Sequence, residues 1–482
     1  MTDPTPAPPT SPSQGQTPPP QRKKWLWGVG ILGVSLLVGG VFFQLGRSDA
    51  HSDEDGHDHA AHGSKPAKSP ANAEMLRHSD RAARAAATGD VAKARVELFE
   101  AYKLSPRYAP SLLIQACLAM EEGNDGEADN ALAALKTIAP RAPELKLLEG
   151  LRERRRVAGT SWQQAFRETW VALGRPDFQK SKLLPGGTQL PPDPQEAEAL
   201  KAAWTRATSD DVKLMLALGS RRLDADMAQF LLKQVPRLED PALYVAVMDA
   251  LRGDVLPEAS HEEARTVFRQ KLEALAAAHP QSMQLQLLLL IGDTEQGSPL
   301  SAKEIDALEQ VAALPLWREG TFAGTYQEAR RLLKEAGAPD TAAMAMTVAM
   351  RSVADRGTWV LRTRVVGTRG VMPPEGVKRV GRIARDIGAR MAGQPTMMER
   401  MAGLQLQRSG AQDMGDEAVR VLTLAQLEAL EAAVASFRKT AMERWPLHAL
   451  TEELLEASLR DEPAYLLSFK AEDAGKTAGA QP

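Results

Sequence analysis

Residues 25–45 form an uninterrupted apolar run, and this run constrains the chain more than any other feature. It reads WLWGVGILGVSLLVGGVFFQL and contains no charged residue. At about 1.5 Å rise per residue, a helix of this length spans roughly 30 Å, the thickness of the hydrocarbon core of a bilayer. The sequence therefore predicts a single transmembrane helix at residues 25–45, so that the rest of the chain works on one side of a membrane.

Charges on the two sides of the run predict its orientation. Arg22, Lys23 and Lys24 precede it, whereas residues 49–58 are rich in aspartate and glutamate. By the positive-inside rule, the N-terminus is cytoplasmic and the body is extracytoplasmic. A cleaved signal peptide is the alternative, but its apolar region is usually only about 7 to 15 residues long. From this topology and the single cysteine, we expect a bacterial inner membrane, with the body in the periplasm.

Helix-forming residues dominate the composition. Aromatic residues make up only 5% of the chain, whereas Ala, Leu, Glu and Arg are abundant, which favours helices over strands. Cys117 is the only cysteine, so no intramolecular disulfide can form, and its apolar surroundings predict a small buried side chain. We therefore predict an all-α fold.

Polar segments lie at both ends of the chain. The first twenty residues contain eight prolines, and such a composition cannot bury enough apolar area to fold, so we expect a disordered cytoplasmic arm at residues 1–24. Residues 470–482 are rich in small and polar residues, which predicts a frayed tail.

The segment between the anchor and the body, residues 46–74, is a predicted flexible linker with clustered histidines. Imidazole and carboxylate groups at this density can bind zinc, nickel or copper. The spacing fits no closed zinc site, however, and a flexible segment offers no preorganised geometry. We expect no resident cofactor, and weak metal binding by the linker stays open as an alternative. The candidate ligands are His51, His57, His59 and His62.

A repeat with a spacing of 34 residues follows the linker. The recurring pairs are Gly89 and Gly123, Ala94 and Ala128, Leu98 and Leu132, and Pro106 and Pro140. Thirty-four residues is the length of one helix-turn-helix unit in tetratricopeptide arrays. The segments GDVAKARVELFEAYKLSP and GNDGEADNALAALKTIAP resemble the second half of that repeat.

The resemblance to tetratricopeptide repeats covers residues 75–157. It implies that Gly89 and Gly123 each end the first helix of a unit and that Pro106 and Pro140 each close the second helix. Ala94 and Ala128 would let the two helices of each unit approach each other. The first helices lack the aromatic positions of the family. A third unit begins at Pro143 and degenerates at Arg152.

Helical periodicity continues through the rest of the chain. Residues 158–195 contain a helix that begins at Ser161 and a linker rich in proline and glycine. Residues 196–469 are a predicted all-helical domain, and stacking into a solenoid is the economical way to bury its apolar faces. Periodicity does not decide whether Trp359 to Val366 is a strand or a helix. The predicted helices are 196–207, 210–223, 225–235, 241–252 and 260–278.

Residues 351–408 are strongly basic. They contain eleven arginines and Lys378 against four acidic residues. Lys378, Arg382 and Arg385 line one face of a predicted helix, which could dock an anionic partner or lipid head groups. A solvated face paired with acidic helices is the alternative. Nucleic acid is not an expected partner outside the cytoplasm.

The sequence contains no catalytic motif of a known kind, including nucleophile elbows, Walker loops, HExxH and paired-cysteine metal sites. We expect a non-enzymatic, membrane-anchored scaffold that binds other proteins, as in the assembly of envelope complexes. The predicted contacts are Gln115 and Glu122 on the first helix of the second unit, together with the basic face. A metal-binding or metal-sensing envelope protein is the alternative, and an enzyme with its site in residues 196–469 is the second alternative.

Metal titration of the linker tests the metal-handling alternative. We expect a synthetic peptide of the linker, residues 46–74, to bind zinc, nickel or copper no more tightly than at millimolar concentrations, because its ligands are not preorganised. Isothermal titration calorimetry measures this directly. Micromolar binding would contradict the expectation and favour a metal-handling protein.

Overall fold

The part of the chain that the structure describes is all-helical. The computed structural model describes residues 70–185, 193–252, 255–354 and 356–470. Within these ranges no β-strand forms, and an isolated bridge joins Ser282 to Leu316. The all-α prediction is confirmed for these residues. None of their helices is long and apolar enough to span a bilayer.

Turns and loops of ten residues or fewer connect consecutive helices, except between α6 and α7, which residues 173–193 separate. The predicted arm, anchor and most of the linker, as well as residues 471–482, lie outside the described ranges. The first described helix begins at Pro70, so residues 70–74 are helical rather than part of a linker. In chain order the helices are α1 (Pro70–Ala87), α2 (Val91–Leu104), α3 (Ala109–Glu121), α4 (Asp125–Ile138), α5 (Pro143–Arg155), α6 (Trp162–Ala172), α7 (Pro194–Arg206), α8 (Asp210–Gly219), α9 (Ala225–Gln234), α10 (Pro241–Ala250), α11 (His261–Ala278), α12 (Met283–Ile291), α13 (Ala302–Ala312), α14 (Phe322–Glu335), α15 (Thr341–Ser352), α16 (Arg356–Thr368), α17 (Pro374–Ala392), α18 (Met397–Met414), α19 (Glu417–Thr440) and α20 (His448–Leu467).

The first two helical hairpins, α1–α2 and α3–α4, have matching turns. Gly89 and Gly123 adopt φ values of 80° and 69°, a conformation that strains any residue with a side chain. The next residue, Asp90 or Asn124, caps the following helix by accepting a hydrogen bond from the amide three residues on. Local turn chemistry therefore repeats at the 34-residue spacing that the sequence shows (89 to 123, 90 to 124).

The third hairpin, α5–α6, has a longer turn. Its first helix begins at Pro143, 34 residues after Ala109, which begins α3. The cap of α6 is Ser161, whereas the spacing from Asn124 would place it at 158. The Arg155 guanidinium fills the longer turn, because it lies 4.9 Å from the Trp162 ring centroid and donates to the Thr160 carbonyl.

Buried apolar side chains of the described residues form three clusters. A small, alanine-rich cluster fills the first hairpin, and another lies between α12, α13, α16 and α17. The largest joins α3–α6 to α7–α11, α14, α15 and α18–α20. The second and third hairpins thus share one core with the C-terminal half, and burial of this apolar surface is the main term that holds them together.

Prolines and side-chain caps explain the helix bounds in the middle of the chain. The helices observed from α7 to α11 match the five predicted between residues 196 and 278, with ends that differ by a few residues. Asp193, Asp224 and Asp240 cap α7, α9 and α10. The undecided stretch from Trp359 to Val366 lies within α16 and is therefore helical.

Glycines allow α17 and α18 to approach each other closely. Gly381 and Gly388 of α17 face Gly410 and Gly403 of α18. A Cβ atom on Gly388 would lie 2.6 Å from the Gly403 carbonyl oxygen and 2.7 Å from the Gln407 nitrogen. Both atoms belong to the backbone, so the helices themselves would have to separate.

Gly388→Ala should therefore destabilise the fold by about 1 to 3 kcal/mol, the usual cost of overpacking. Gly126→Ala is the matched control, because Gly126 is an exposed helical glycine whose added Cβ would meet only the Asn124 side chain at 4.0 Å. The control should gain up to about 1 kcal/mol from helix propensity. Urea unfolding followed by circular dichroism gives both values, and a stable Gly388→Ala would contradict the close approach.

Candidate interaction surfaces

The predicted contact residues Gln115 and Glu122 lie between the first two hairpins. Gln115 accepts a hydrogen bond from the Tyr102 hydroxyl at 2.8 Å and donates to Glu127 at 3.2 Å. Glu122 pairs with Arg95, which also donates to Glu127. The hydrogen bond from Arg95 holds the pKa of Glu127 below its usual range. Both residues therefore join neighbouring units, and about a third of the Glu122 side chain stays exposed.

The C-terminal helix α20 closes against the turns of the hairpins. Glu121, at the end of α3, accepts hydrogen bonds from the backbone amides of His448 (3.0 Å) and Ala449 (2.6 Å), which begin α20. Burial raises the pKa of the Glu121 carboxyl, and these two amides partly offset that effect. The His448 ring packs on Gly89, where an added Cβ would lie 2.9 Å from its Nε2 atom. One helix thus contacts the first two hairpins together.

The same helix holds the third hairpin. Glu453 of α20 accepts hydrogen bonds from the amides of Trp162 (3.0 Å) and Gln163 (2.8 Å), at the start of α6. A carboxylate at the start of a helix accepts hydrogen bonds from amides that have no partner within the helix. Its negative charge is also stabilised by the positive end of the helix dipole. Just before α20, Trp445 packs edge to face against Phe166 and Phe178. The end of the repeat is therefore covered by the chain itself.

A second contact joins the first hairpin to α7. Arg81 donates two hydrogen bonds to Asp193, at 2.6 and 2.8 Å, and this pairing lowers the pKa of Asp193. Arg84 pairs with Asp80 at 3.1 Å and with Glu196. Because the Arg81 and Asp193 side chains are mostly buried, this bidentate pair fixes geometry more firmly than an exposed ion pair does.

The outer face of α2 carries apolar side chains in solvent. Val96 is 62% exposed and Phe99 is 59% exposed. The equivalent positions 34 residues later, on the outer face of α4, are Asn130 and Ala133, which are also exposed. Since the same framework position accepts polar or small residues in the second unit, packing within the repeat does not require valine and phenylalanine here. Comparison of the two units in the sequence would have found this difference.

The basic residues of α17 are partly neutralised by neighbours. Lys378 pairs with Glu375 at 2.9 Å and Arg385 with Asp386 at 2.8 Å, whereas Arg382 between them is exposed. Other arginines of the basic segment bind acidic residues of neighbouring helices, including the buried Arg364, which pairs with Glu304 and holds the pKa of that carboxyl at about 2. The exposed positive face of α17 is therefore narrower than the composition of residues 351–408 indicates.

The candidate metal ligands His51, His57, His59 and His62 lie outside the described residues. In the described ranges, no group of three or more His, Cys, Asp or Glu side chains could hold a metal ion. His78 and His279 lie 2.6 Å from single carboxylates, those of Glu97 and Glu319. The structure therefore adds no ligand set to the one predicted in the linker.

No protein-family model, curated protein or solved structure matches this chain. A proposal for its function therefore rests on the exposed surfaces of the described helices.

Substitution of Glu121 tests the contact between α3 and α20. Glu121→Ala leaves two amides of α20 without their partner, and we expect a loss of about 1 to 3 kcal/mol in the free energy of unfolding. Glu122→Ala is the matched control, since it removes only the exposed ion pair with Arg95 and should cost about 1 kcal/mol or less. Urea unfolding at neutral pH measures both, and equal losses would contradict the capping role of Glu121.

Proposed function

We propose that this protein is a membrane-anchored, extracytoplasmic scaffold whose helical repeats bind other proteins through the outer face of α2. The observation that carries the proposal is the exposure of Val96 and Phe99 at a position that is polar or small in the next unit. Val96 and Phe99 are three residues apart and therefore neighbours on one helix face, and contiguous exposed apolar surface is typical of interaction sites.

The chemistry around these residues indicates the kind of partner. Lys93 and Lys103 flank the apolar pair, and the Lys103 ammonium lies 4.4 Å from the Phe99 ring centroid. A helix with an apolar stripe and acidic edges would complement this surface. The apolar area is small, so contact at α2 alone would be weak.

The predicted anchor at residues 25–45 would compensate for weak contact. Attachment to the bacterial inner membrane confines the scaffold and a membrane-bound partner to the same surface, which raises their effective concentration. This arrangement suits a factor that assembles envelope complexes. The resemblance of residues 75–157 to tetratricopeptide repeats, a family of protein-binding arrays, supports the same proposal.

The exposed side of α17 is a second proposed contact. Lys378, Arg382 and Arg385 follow one another along the helix, and Arg382 is exposed between two ion pairs. We propose that this face binds an anionic segment of the partner or anionic lipid head groups, and that salt weakens the contact.

A matched pair of double variants tests the proposed function. Val96→Asn with Phe99→Ala installs on α2 the residues that α4 already carries at the same positions, so the fold should be retained. Asn130→Ala with Ala133→Ser changes the equivalent exposed positions of α4 as the control. Crosslinking in cells, detergent extraction and mass spectrometry then compare the captured proteins.

The proposal predicts a specific set of partners that wild type and the α4 control capture and that the α2 variant loses at least tenfold. If the α2 variant captures the same set as wild type, the outer face of α2 is not the binding surface. A circular dichroism melt of each purified variant verifies that the comparison concerns folded protein.

A further inference from the structure

The end of α20 is hinged. Asp461 has φ −161° and ψ 89°, which is not helical, and Pro463 follows two residues later. The Asp461 carboxylate accepts a hydrogen bond from the Ala464 amide at 3.1 Å, so it caps a new helical turn after the break. Pro463 has no backbone N–H, so it cannot continue the hydrogen-bond pattern of the preceding helix. Residues 462–470, here called the C-terminal strap, can therefore move without unwinding the rest of α20.

Glu462 fastens the strap to the start of α18. Its backbone amide donates to the Pro395 carbonyl at 3.0 Å, and its carboxyl oxygen Oε2 accepts from the Met397 amide at 2.8 Å. Glu462 is only 5% exposed. The two hydrogen bonds run in opposite directions between the same two segments, so both form or break with the docking of the strap.

The strap covers aromatic side chains of the body. Phe469 lies 5.1 Å from Phe437 of α19 and 6.3 Å from Trp170 of α6, measured between ring centroids. Tyr465 packs against the same Phe437 ring at 5.9 Å. Trp170 is fully buried and Phe437 is 2% exposed. Undocking of the strap would expose both to water.

The charge on Glu462 opposes docking. The pKa of its carboxyl is raised to about 7, mainly by burial; the hydrogen bond from the Met397 amide lowers the pKa, the nearby Asp461 charge raises it, and the value of about 7 includes all three effects. When the pKa of a carboxyl is higher in the docked state than in the open state, protonation of that carboxyl favours docking. The whole of this contribution is present below the ordinary pKa of the carboxyl. That contribution is lost as the pH rises from about 4.5 through about 7.

Other charged groups lie near the hinge on the elements that pack against it. From α18, Arg400 lies 3.6 Å from Asp461, and Glu399 is bound by Arg318 at 2.8 Å. From α6, Arg167 acts on Tyr465, as does Glu453 of α20 itself. None of these groups is a histidine, and burial raises the pKa of Tyr465 far above the neutral range. Glu462 is the buried carboxyl that links the strap to the first turn of α18.

We propose that residues 462–470 form a pH-responsive strap, which is docked over Trp170 and Phe437 while Glu462 is protonated and is released when Glu462 ionises. The strap is a conformational device of this fold, and it does not depend on the identity of any partner.

Hydrogen–deuterium exchange of the full-length protein tests the proposal. Exchange of peptides covering 395–400 and 462–470 is compared at about pH 5 and about pH 8, after correction for the intrinsic effect of pH. The opening equilibrium of wild type should rise on the order of 100-fold between these values. Glu462→Gln keeps a carbonyl acceptor for the Met397 amide and cannot ionise, so its opening should be independent of pH.

Two further variants complete the design. Glu456→Gln makes the same change at an exposed position of α20 and should retain the wild-type response. Phe469→Ala should increase opening at both pH values while leaving the midpoint near 7, because it removes aromatic contact and not the titrating group. Unchanged protection of α11 in each variant verifies folding. Wild-type exchange that does not vary with pH, or a Glu462→Gln variant with the wild-type response, would overturn the proposal.

Discussion

Glutamate side chains that accept hydrogen bonds from helix-end amides position the two halves of this protein around their shared apolar core. Glu121 of α3 caps α20, Glu453 of α20 caps α6, and Glu462 of α20 binds the first turn of α18. Arg330 of α14 adds an ion pair with Glu452 at 3.0 Å. Each of these groups would lose hydrogen bonds if α20 moved, and helix ends without partners are costly when buried. One helix near the end of the chain therefore fixes the position of four others.

This closure changes what a repeat can offer to a partner. An open array presents a continuous inner surface, whereas here α20 packs along the hairpin turns and α7 pairs with Arg81 of α1. Residues of the first helices, such as Gln115, are engaged in contacts between units. The outer face of α2 stays exposed, and its Val96 and Phe99 are large apolar side chains at positions that are polar or small in the second unit. The C-terminal strap adds a covered aromatic surface whose exposure would depend on pH.

Local chemistry explains what the sequence could predict. Gly89 and Gly123 with their capping neighbours reveal the hairpins, because turn and cap residues act within a few positions of where they stand. Helical spacing of apolar residues and the prolines between the segments likewise predict α7 to α11. Long-range contacts leave no such signal: Glu121 and Ala449 are 328 residues apart, and Glu453 looks like any glutamate on an amphipathic helix. For the same reason, Gln115 and Glu122 could be predicted to be polar but not to be engaged within the chain. The predicted anchor and metal ligands lie outside the described residues and remain predictions.

Native-state hydrogen exchange in increasing urea is the most direct test of the central claim that α20 makes the hairpins and the C-terminal helices one cooperative unit. We expect the slowest-exchanging amides of α3–α6 and of α18–α20 to lose protection over the same range of urea, because these helices share a core and are capped by one another. If the hairpins lose protection at clearly lower urea while α18 to α20 remain protected, the repeat is an independent domain, and α20 does not hold the structure together.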